Sequence, residues 1–271
     1  RGEFGLHIFD LSDPANPVLV NMFDTPGSAQ TVVLSGGFAY VADGDSGLQI
    51  IDVSTPESAY TVSSVLTPGS AGTLALSAGY AYVLDENLQI IDIDPPESAY
   101  LVSSVATPGS AAKVEVSGGY TYVVDSLYSD LYIIDIDPPE SASIVNSIEP
   151  YYPALAGFTI SGDYAYLLSN SRIQDSLCSL QVIDIQSPES ADVVGFEGSV
   201  GRYEEITVAG GYAYVGIGSL IRIIDVDPRE TPNTVGWVDI NMGAMSFCGD
   251  LAYVANDDGL HVVNVATPDS A

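Results

Sequence analysis

Short apolar runs alternate with turns rich in glycine, proline, serine and aspartate along the whole chain. In one unit, the runs contain five to seven residues, many of them β-branched or aromatic, and are Thr31–Ser35, Phe38–Ala42, Leu48–Val53 and Tyr60–Leu66. Because turn residues bound each run, the pattern predicts four consecutive antiparallel strands. No stretch combines sustained helical periodicity with helix caps, so we predict almost no helix.

The four-strand unit recurs about every forty residues from one end of the chain to the other. A glycine followed by an aromatic-Ala-Tyr-Val pattern is centred on Tyr40, Tyr82, Tyr122, Tyr166, Tyr214 and Tyr253. A Leu-x-Ile-Ile-Asp pattern ends at Asp10, Asp52, Asp92, Asp135, Asp184 and Asp225, and finally at Asn264. Strand-like strings that repeat with this period are typical of propeller blades.

The third strand of each unit is apolar on both of its faces, as the doublets Ile50-Ile51 and Ile90-Ile91 show. A strand of this kind has both faces covered. Blades stacked around an axis cover both faces of every sheet, whereas a two-sheet sandwich would leave one face polar. We therefore predict an all-β propeller built from four-stranded antiparallel blades.

Counting the runs predicts 25 strands, which is six blades of four plus one further strand. The chain begins with third- and fourth-type strands, Gly5–Leu11 and Val18–Phe23, and ends with a first-, a second- and a third-type strand. Six blades are favoured and seven are the alternative, closed by pairing of the N- and C-terminal strands. Gly5–Leu11 is then surplus: a fifth strand, a truncated seventh repeat, or a strand that pairs with another copy.

The string Gly47-Leu-Gln-Ile-Ile-Asp-Val53, followed by Thr-Pro and preceded by Gly-aromatic-Ala-Tyr-Val, resembles the LVIVD-repeat family of bacterial and archaeal surface proteins. The resemblance recurs in every unit and covers nearly the whole chain. It implies a β-propeller that is often part of a larger exported protein. It implies no catalytic residues.

Composition narrows the classes of partner. The repeat is continuous, so residues 1–271 are predicted to be a single propeller domain, in our interpretation part of a longer exported protein. Against 36 acidic residues there are only 6 basic ones, which argues against nucleic acid and against anionic lipid. No apolar run is long enough to cross a membrane. We expect an extracellular or cell-surface protein.

The aspartates that end the third strands have two interpretations. The favoured one is an Asx-turn, in which the carboxylate accepts hydrogen bonds from backbone N–H groups just after it. The alternative is a ring of carboxylates that binds Ca²⁺. Two hairpin turns, with Asp43 and Asp45 in one and Asp257 and Asp258 in the other, are weak calcium candidates whose Asp-Gly chemistry also suits a plain turn. No cofactor is predicted beyond weakly bound Ca²⁺.

The remaining reactive residues do not form a catalytic set. His7 and His261 occupy the slot that holds Gln49, Gln89, Gln181 and Arg222 elsewhere, and we interpret this slot as a surface position. Cys178 is predicted in a loop and Cys248 in a turn at the opposite end of a blade, too far apart for a disulfide. We predict no catalytic residue.

Three segments depart from the repeat and are predicted at one end of the blades: Asp125–Asp130, Glu149–Pro153 and Ser169–Ser179. Function tends to reside in such departures. They contain residue types enriched at binding hot spots, which makes four side chains candidate partner contacts. These are Tyr128, Tyr151, Tyr152 and Arg172.

Two classes of function compete. The favoured one is a non-enzymatic structural or interaction module that binds protein or glycan or assembles with copies of itself. The alternative is a propeller hydrolase or lyase with a metal at its central channel. First strands such as Thr73–Ser77 and Lys113–Ser117 would line that channel, and they are short and apolar, which favours the first class.

Overall fold

A computed structural model describes residues 5–13, 16–109, 111–125, 127, 129–173, 177–248, 251–256 and 259–265. In this part of the chain there are 25 strands and four single-turn 3-10 helices, at Pro56–Ser58, Pro96–Ser98, Pro139–Ser141 and Pro188–Ser190. The predicted number of strands and the near absence of helix are thus confirmed. Among the described residues, no helix has the length and apolar character needed to cross a membrane.

The strands form seven antiparallel sheets in which neighbours in sequence are neighbours in space. The N-terminal sheet is β1 (Leu6–Asp10) and β2 (Val18–Phe23); blade 1 is β3 (Thr31–Ser35), β4 (Phe38–Ala42), β5 (Leu48–Asp52) and β6 (Tyr60–Val65); blade 2 is β7 (Thr73–Ser77), β8 (Tyr80–Leu84), β9 (Leu88–Asp92) and β10 (Tyr100–Val105). Blade 3 is β11 (Ala111–Ser117), β12 (Tyr120–Asp125), β13 (Leu131–Asp135) and β14 (Ser143–Ile148), and blade 4 is β15 (Ala154–Ser161), β16 (Tyr164–Asn170), β17 (Leu177–Asp184) and β18 (Asp192–Val200). Blade 5 is β19 (Tyr203–Ala209), β20 (Tyr212–Ile217), β21 (Leu220–Asp225) and β22 (Asn233–Val238), and the C-terminal sheet is β23 (Ala244–Cys248), β24 (Leu251–Asn256) and β25 (Gly259–Asn264).

The isoleucine doublets pack as their sequence predicts. Ile50 and Ile51 are both fully buried. Ile50 belongs to a cluster with Val83 and Ile91 of blade 2, whereas Ile51 packs on the opposite face with Leu6 of the N-terminal sheet. Each face of blade 1 therefore lies against a neighbouring sheet, which is the reason the third strand carries no polar face.

The chain forms two compact units. Unit 1 comprises Arg1–Asp125 and Ile133–Ile144, and unit 2 comprises Ser126–Tyr132 and Val145–Ala271. A single domain over the whole chain stays a prediction.

In unit 1, a carboxylate at the end of the second strand holds the Thr-Pro-Gly loop that enters the blade. The Thr25 hydroxyl donates to Asp43 Oδ1 at 2.7 Å, and the Gly27 N–H donates to Asp43 Oδ2 at 2.7 Å. In blade 2, the Gly69 N–H donates to Asp85 Oδ2 at 2.9 Å. The loop motif and the aspartate recur together because one satisfies the other's hydrogen-bonding groups.

A second repeated contact links the outer strands of the N-terminal sheet and of blades 1 to 3 to the next 3-10 turn. A serine or asparagine side chain on the fourth strand donates to a proline carbonyl of the following sheet. The pairs are Asn21 with Pro56, Ser63 with Pro96, Ser103 with Pro139, and Asn146 with Pro188. The serines of the outer strand therefore fasten neighbouring sheets, in addition to lowering the apolar character of an edge strand.

The ends of the chain differ from the prediction. Gly5–Leu11 supplies β1, which pairs with β2 from Leu6↔Phe23 to Asp10↔Val18, and the two strands form a sheet of their own. The number of blades stays a prediction. The C-terminal sheet contains three strands. Among the described strands, the predicted closing ladder between the N and C termini is absent.

The predicted loop Ser169–Ser179 is also corrected. Strands β16 and β17 extend into it, and Asn170 pairs directly with Cys178. Polar side chains made this segment look like a loop, but Ser169 and Ser179 hydrogen-bond to each other and Asn170 hydrogen-bonds to the backbone of Tyr203 in blade 5, so the backbone at both ends of the segment stays in the sheet. Residues 174–176 lie outside the described residues.

Candidate interaction surface

The strand-end aspartates form Asx-turns, which confirms the favoured interpretation. Asp52 Oδ1 accepts the Ser54 N–H at 2.8 Å, and Asp92 Oδ1 accepts the Asp94 N–H at 2.9 Å. The same bond two residues on recurs at Asp135, Asp184 and Asp225. These carboxylates shape the turn that precedes each 3-10 helix or its counterpart.

The calcium candidates differ in burial and in whether the structure describes them. Asp43 is fully buried and holds the Thr25–Gly27 loop, whereas Asp45 is exposed. Asp257 and Asp258 lie outside the described residues. Within the described part of the chain, no group of three or more His, Cys, Asp or Glu side chains is placed to hold a metal ion.

The slot that was interpreted as a surface position is buried in complete blades. Gln49 and Gln89 are nearly inaccessible, and Gln49 Nε2 donates to the Ser46 carbonyl oxygen at 2.7 Å. The prediction was wrong because the third strand of a complete blade lies between two others. His7 occupies the same slot on β1, an edge strand, and is exposed.

The three irregular segments meet in unit 2, as predicted. The Arg172 guanidinium donates to the carbonyl oxygen of Leu127, which joins two of the turns. The Tyr151 N–H donates to Gln181 Oε1 at 2.6 Å and the Tyr152 N–H donates to Ser169 Oγ at 3.3 Å, which ties Glu149–Pro153 to the middle of β17 and to the end of β16. Tyr128, the fourth candidate contact, lies outside the described residues.

Tyr151 is the exposed centre of an aromatic group. Its ring is 4.9 Å from the Tyr152 ring at an interplanar angle of 86° and 4.6 Å from the Phe196 ring at 53°. Tyr151 is 62% exposed and Phe196 is 43% exposed. We call Tyr151, Tyr152 and Phe196 the aromatic platform. Beside it, Asp130, Glu149, Pro150 and Pro153 line a cleft of about 260 Å³.

Sequence reasoning missed Phe196 and Trp237, although a signal existed. Phe196 is the cross-strand partner of Gln181 and Trp237 that of Arg222. The equivalent outer positions in unit 1, opposite Gln49 and Gln89, are Ser64 and Ser104. Aligning the fourth strands with one another would have shown that serine gives way to an exposed aromatic residue only in unit 2.

Behind the exposed aromatics lies a buried polar network. Arg222 forms an ion pair with Glu197, and both side chains are almost inaccessible. The guanidinium also donates to the Tyr203 hydroxyl at 2.7 Å and to Thr234 Oγ1 at 2.6 Å, and its carbon lies 5.4 Å from the centroid of the Trp237 ring. Burial raises the pKa of Tyr203, so the phenol stays protonated and its hydroxyl donates to Glu197 Oε2.

Cys178 is packed beside this network. Its thiol is free and buried, and burial raises its pKa above the usual range. A thiol of raised pKa is a poor nucleophile, since the thiolate is the reactive form. The residue therefore acts as part of the core of unit 2.

Comparison with known proteins comes from a family profile and from solved structures. The profile described as LVIVD repeat matches residues 2–25, 26–67, 68–107, 108–148, 200–239 and 244–270. No curated protein is significantly similar to the chain in sequence. The matched ranges leave out 149–199, the segment that contains the aromatic platform and Glu197.

Three solved structures illustrate the shared fold. A functionally unknown protein from Desulfotomaculum acetoxidans has a TM-score of 0.68 and 14% identity, over 93% of this chain and 89% of that one. BamB from Moraxella catarrhalis has a TM-score of 0.66 and 14% identity, over 91% and 74% of the two chains. A chain of the Mitotic Checkpoint Complex has a TM-score of 0.69 and 10% identity, over 94% and 79%. At these identities the likeness is one of fold.

Proposed function

The chain belongs to the LVIVD-repeat family, and on that premise we propose that it is a non-enzymatic interaction module of an extracellular or cell-surface protein. The observation that carries the proposal is the exposed aromatic platform, which lies in the segment that departs from the repeat. A regular scaffold with one irregular, exposed segment is the usual arrangement of a grafted binding site.

The platform has the properties of a hot spot. Tyrosine and other aromatic residues are enriched at interface centres, because they bury a large area at a small cost in side-chain entropy. The backbone of Tyr151 and Tyr152 is already held by Gln181 and Ser169. Binding of a partner therefore requires little further ordering of this segment, which lowers the conformational-entropy cost of binding. The similar chain in the Mitotic Checkpoint Complex is an example of the fold in a protein assembly.

The proposal is tested by panning a random peptide library and a glycan array against the protein and against a Tyr151→Ser/Phe196→Ser variant. Ligands that bind the protein and lose binding in the variant support an interaction site at the platform. A matched control is Tyr60→Ser/Tyr100→Ser, which removes two exposed tyrosines of unit 1. Ligands that are equally weakened by both variants, or by neither, contradict the proposal.

The proposal includes no catalytic residue and no cofactor other than weakly bound Ca²⁺. The net charge of −30 attracts divalent cations as counterions, without a specific site. We therefore expect millimolar Ca²⁺ and Mg²⁺ to shift Tm equally. A shift specific to Ca²⁺ that Asp45→Asn abolishes would instead establish a site in that hairpin, and hydrolase or lyase turnover would restore the enzyme alternative.

A second candidate function, self-assembly, is favoured by the end sheets. Phe9 is 49% exposed, and Leu260 and Val262 are 68% and 56% exposed, although their counterparts in blade 1, Ile51, Leu48 and Ile50, are buried. We propose that β25 gains a fourth strand, either from β2 in a closed six-bladed arrangement or from another copy. Sedimentation decides between these: a monomer at every concentration favours closure, whereas mass that grows with concentration and falls in Leu260→Ser favours assembly.

A further inference from the structure

We propose that the aromatic platform binds an arginine side chain on a basic segment of a partner protein. This inference rests on the proposed function and names the chemistry of its partner. The face of an aromatic ring attracts a cation placed over it, and guanidinium stacks on such faces better than ammonium. Tyr151 and Phe196 present exposed rings.

The arrangement of the rings favours a cation over a sugar. Stacking of a pyranose needs one flat aromatic face, but the three rings are inclined to one another by 86° and 53°. Rings set at an angle instead offer a side chain more than one face, which is the geometry of cages for cationic groups. The platform is also stiff, because Tyr151 and Tyr152 stand between Pro150 and Pro153.

The charge around the platform complements a basic partner. Glu149 lies two residues before Tyr151 and, with Asp130, lines the adjoining cleft. The whole chain carries a net charge of −30. A surface of one sign raises the association rate of a partner of the opposite sign and excludes acidic ones.

Unit 2 already contains this contact within its own chain. The guanidinium carbon of Arg229 lies 5.0 Å from the ring centroid of Tyr164 and 6.0 Å from that of Tyr166. Arg222 lies 5.4 Å from that of Trp237. Two of the few basic residues of the chain therefore stack on aromatic rings in the unit that also exposes the platform.

The test measures binding of a short peptide of alternating Arg and Gly, with Lys-Gly and Glu-Gly peptides of equal length as comparisons. We expect the Arg peptide to bind more tightly than the Lys peptide, and Tyr151→Ser/Phe196→Ser to weaken it about fivefold or more. The control Tyr60→Ser/Tyr100→Ser removes exposed tyrosines that also lie near carboxylates, and should change affinity by less than about twofold. Tyr151→Phe, which keeps the ring, should bind like the unaltered protein.

The outcomes separate the inference from the proposed function. Equal binding of Arg and Lys peptides, or equal loss in the platform variant and the control, shows attraction by overall charge alone and overturns the inference. Platform-dependent ligands from panning that contain no arginine, or a glycan that depends on the platform, overturn the inference and leave the proposed function standing. Tyr151→Leu keeps apolar area without a ring and separates the two effects: unchanged arginine preference in this variant also overturns the inference.

Discussion

Units 1 and 2 fulfil the same structural requirement with different residues. In unit 1, the position after the second strand is an aspartate, and Asp43 and Asp85 hold Thr-Pro-Gly loops. In unit 2, the equivalent residues lie within the longer strands β16 and β24: Ser169 accepts the Tyr152 N–H, and Asn256 donates to the Asn241 carbonyl oxygen. In blade 5 the equivalent residue is Ile217. Neither the carboxylate nor the Thr-Pro-Gly motif is present at these places in unit 2.

The outer strands differ in the same way. Unit 1 carries exposed Ser64 and Ser104 where unit 2 carries Phe196 and Trp237. Blade 4 of unit 2 also has Gly195 in place of the serine that hydrogen-bonds to a proline carbonyl, and the Arg229 carbonyl oxygen approaches the backbone closely there. Neighbouring sheets of the same scaffold can therefore be held together by different contacts. The aromatic platform lies on the part of the surface where these contacts differ from those of unit 1.

The largest loss of stability is expected when Arg222 of the buried network is replaced by the residue that unit 1 carries at the same position. Arg222→Gln introduces the residue found at this slot in blades 1 and 2, but leaves the Glu197 carboxylate buried without its ion-pair partner. Removing one member of a buried pair typically costs about 3 to 5 kcal/mol. Urea unfolding monitored by circular dichroism should show a loss of that size.

The matched control is the double variant Arg222→Gln/Glu197→Val. Val65 of blade 1 pairs with Leu48 as Glu197 pairs with Leu180, so valine is the unit 1 residue at that position. We expect the double variant to recover most of the loss. A double variant as unstable as the two single variants combined would contradict the view that the network is a local substitute for apolar packing.

The second-largest loss of stability is expected at Gly195, where the Arg229 carbonyl oxygen approaches the backbone closely. A Cβ at this position would overlap the carbonyl oxygen of Arg229, which is backbone and cannot rotate away. Gly195→Ala should cost about 1 to 3 kcal/mol in the free energy of unfolding. Gly72→Ala is the control, because the nearest atom to its Cβ is the Leu84 carbonyl oxygen at 3.9 Å; a similar loss in both variants would argue against a close contact between sheets.

Removing the Asp43 carboxylate, which holds the Thr25–Gly27 loop in unit 1, should lower the free energy of unfolding by a comparable or smaller amount. Asp43→Ala leaves the Thr25 hydroxyl and the Gly27 N–H without their acceptor, and unsatisfied buried groups cost about 1 to 3 kcal/mol. Asp45→Ala, in the same turn but exposed, should leave Tm unchanged. If Asp45→Ala lowers Tm as much as Asp43→Ala, the turn itself, and not the carboxylate, holds the loop.

The smallest effect on stability is expected from exchanging the outer residues. Phe196→Ser and Ser64→Phe both change exposed positions, and such substitutions usually alter the free energy of unfolding by less than about 0.5 kcal/mol. Thermal unfolding of the two variants should therefore match that of the unaltered protein. A large loss in Phe196→Ser would indicate that the platform serves folding and would weaken its assignment to binding.

The fold was largely predictable from the sequence because its signals are local and repeated. Doubled isoleucines require two covered faces, and Asp52 followed by a turn requires an Asx bond; both are properties of one segment and its period. The slot of Gln49 was misjudged because burial there depends on the fourth strand, not on the polarity of the residue. Phe196 was missed because an exposed aromatic residue in a strand looks like a core residue until its cross-strand partner is known.

Hydrogen exchange of the protein with and without the Arg-Gly peptide tests the central claim most directly. We expect added protection in the segments 149–153 and 196–200, with none at the equivalent outer strands β6 and β10 of unit 1. Protection spread evenly over the acidic surface, or confined to unit 1, would contradict a partner site on the aromatic platform.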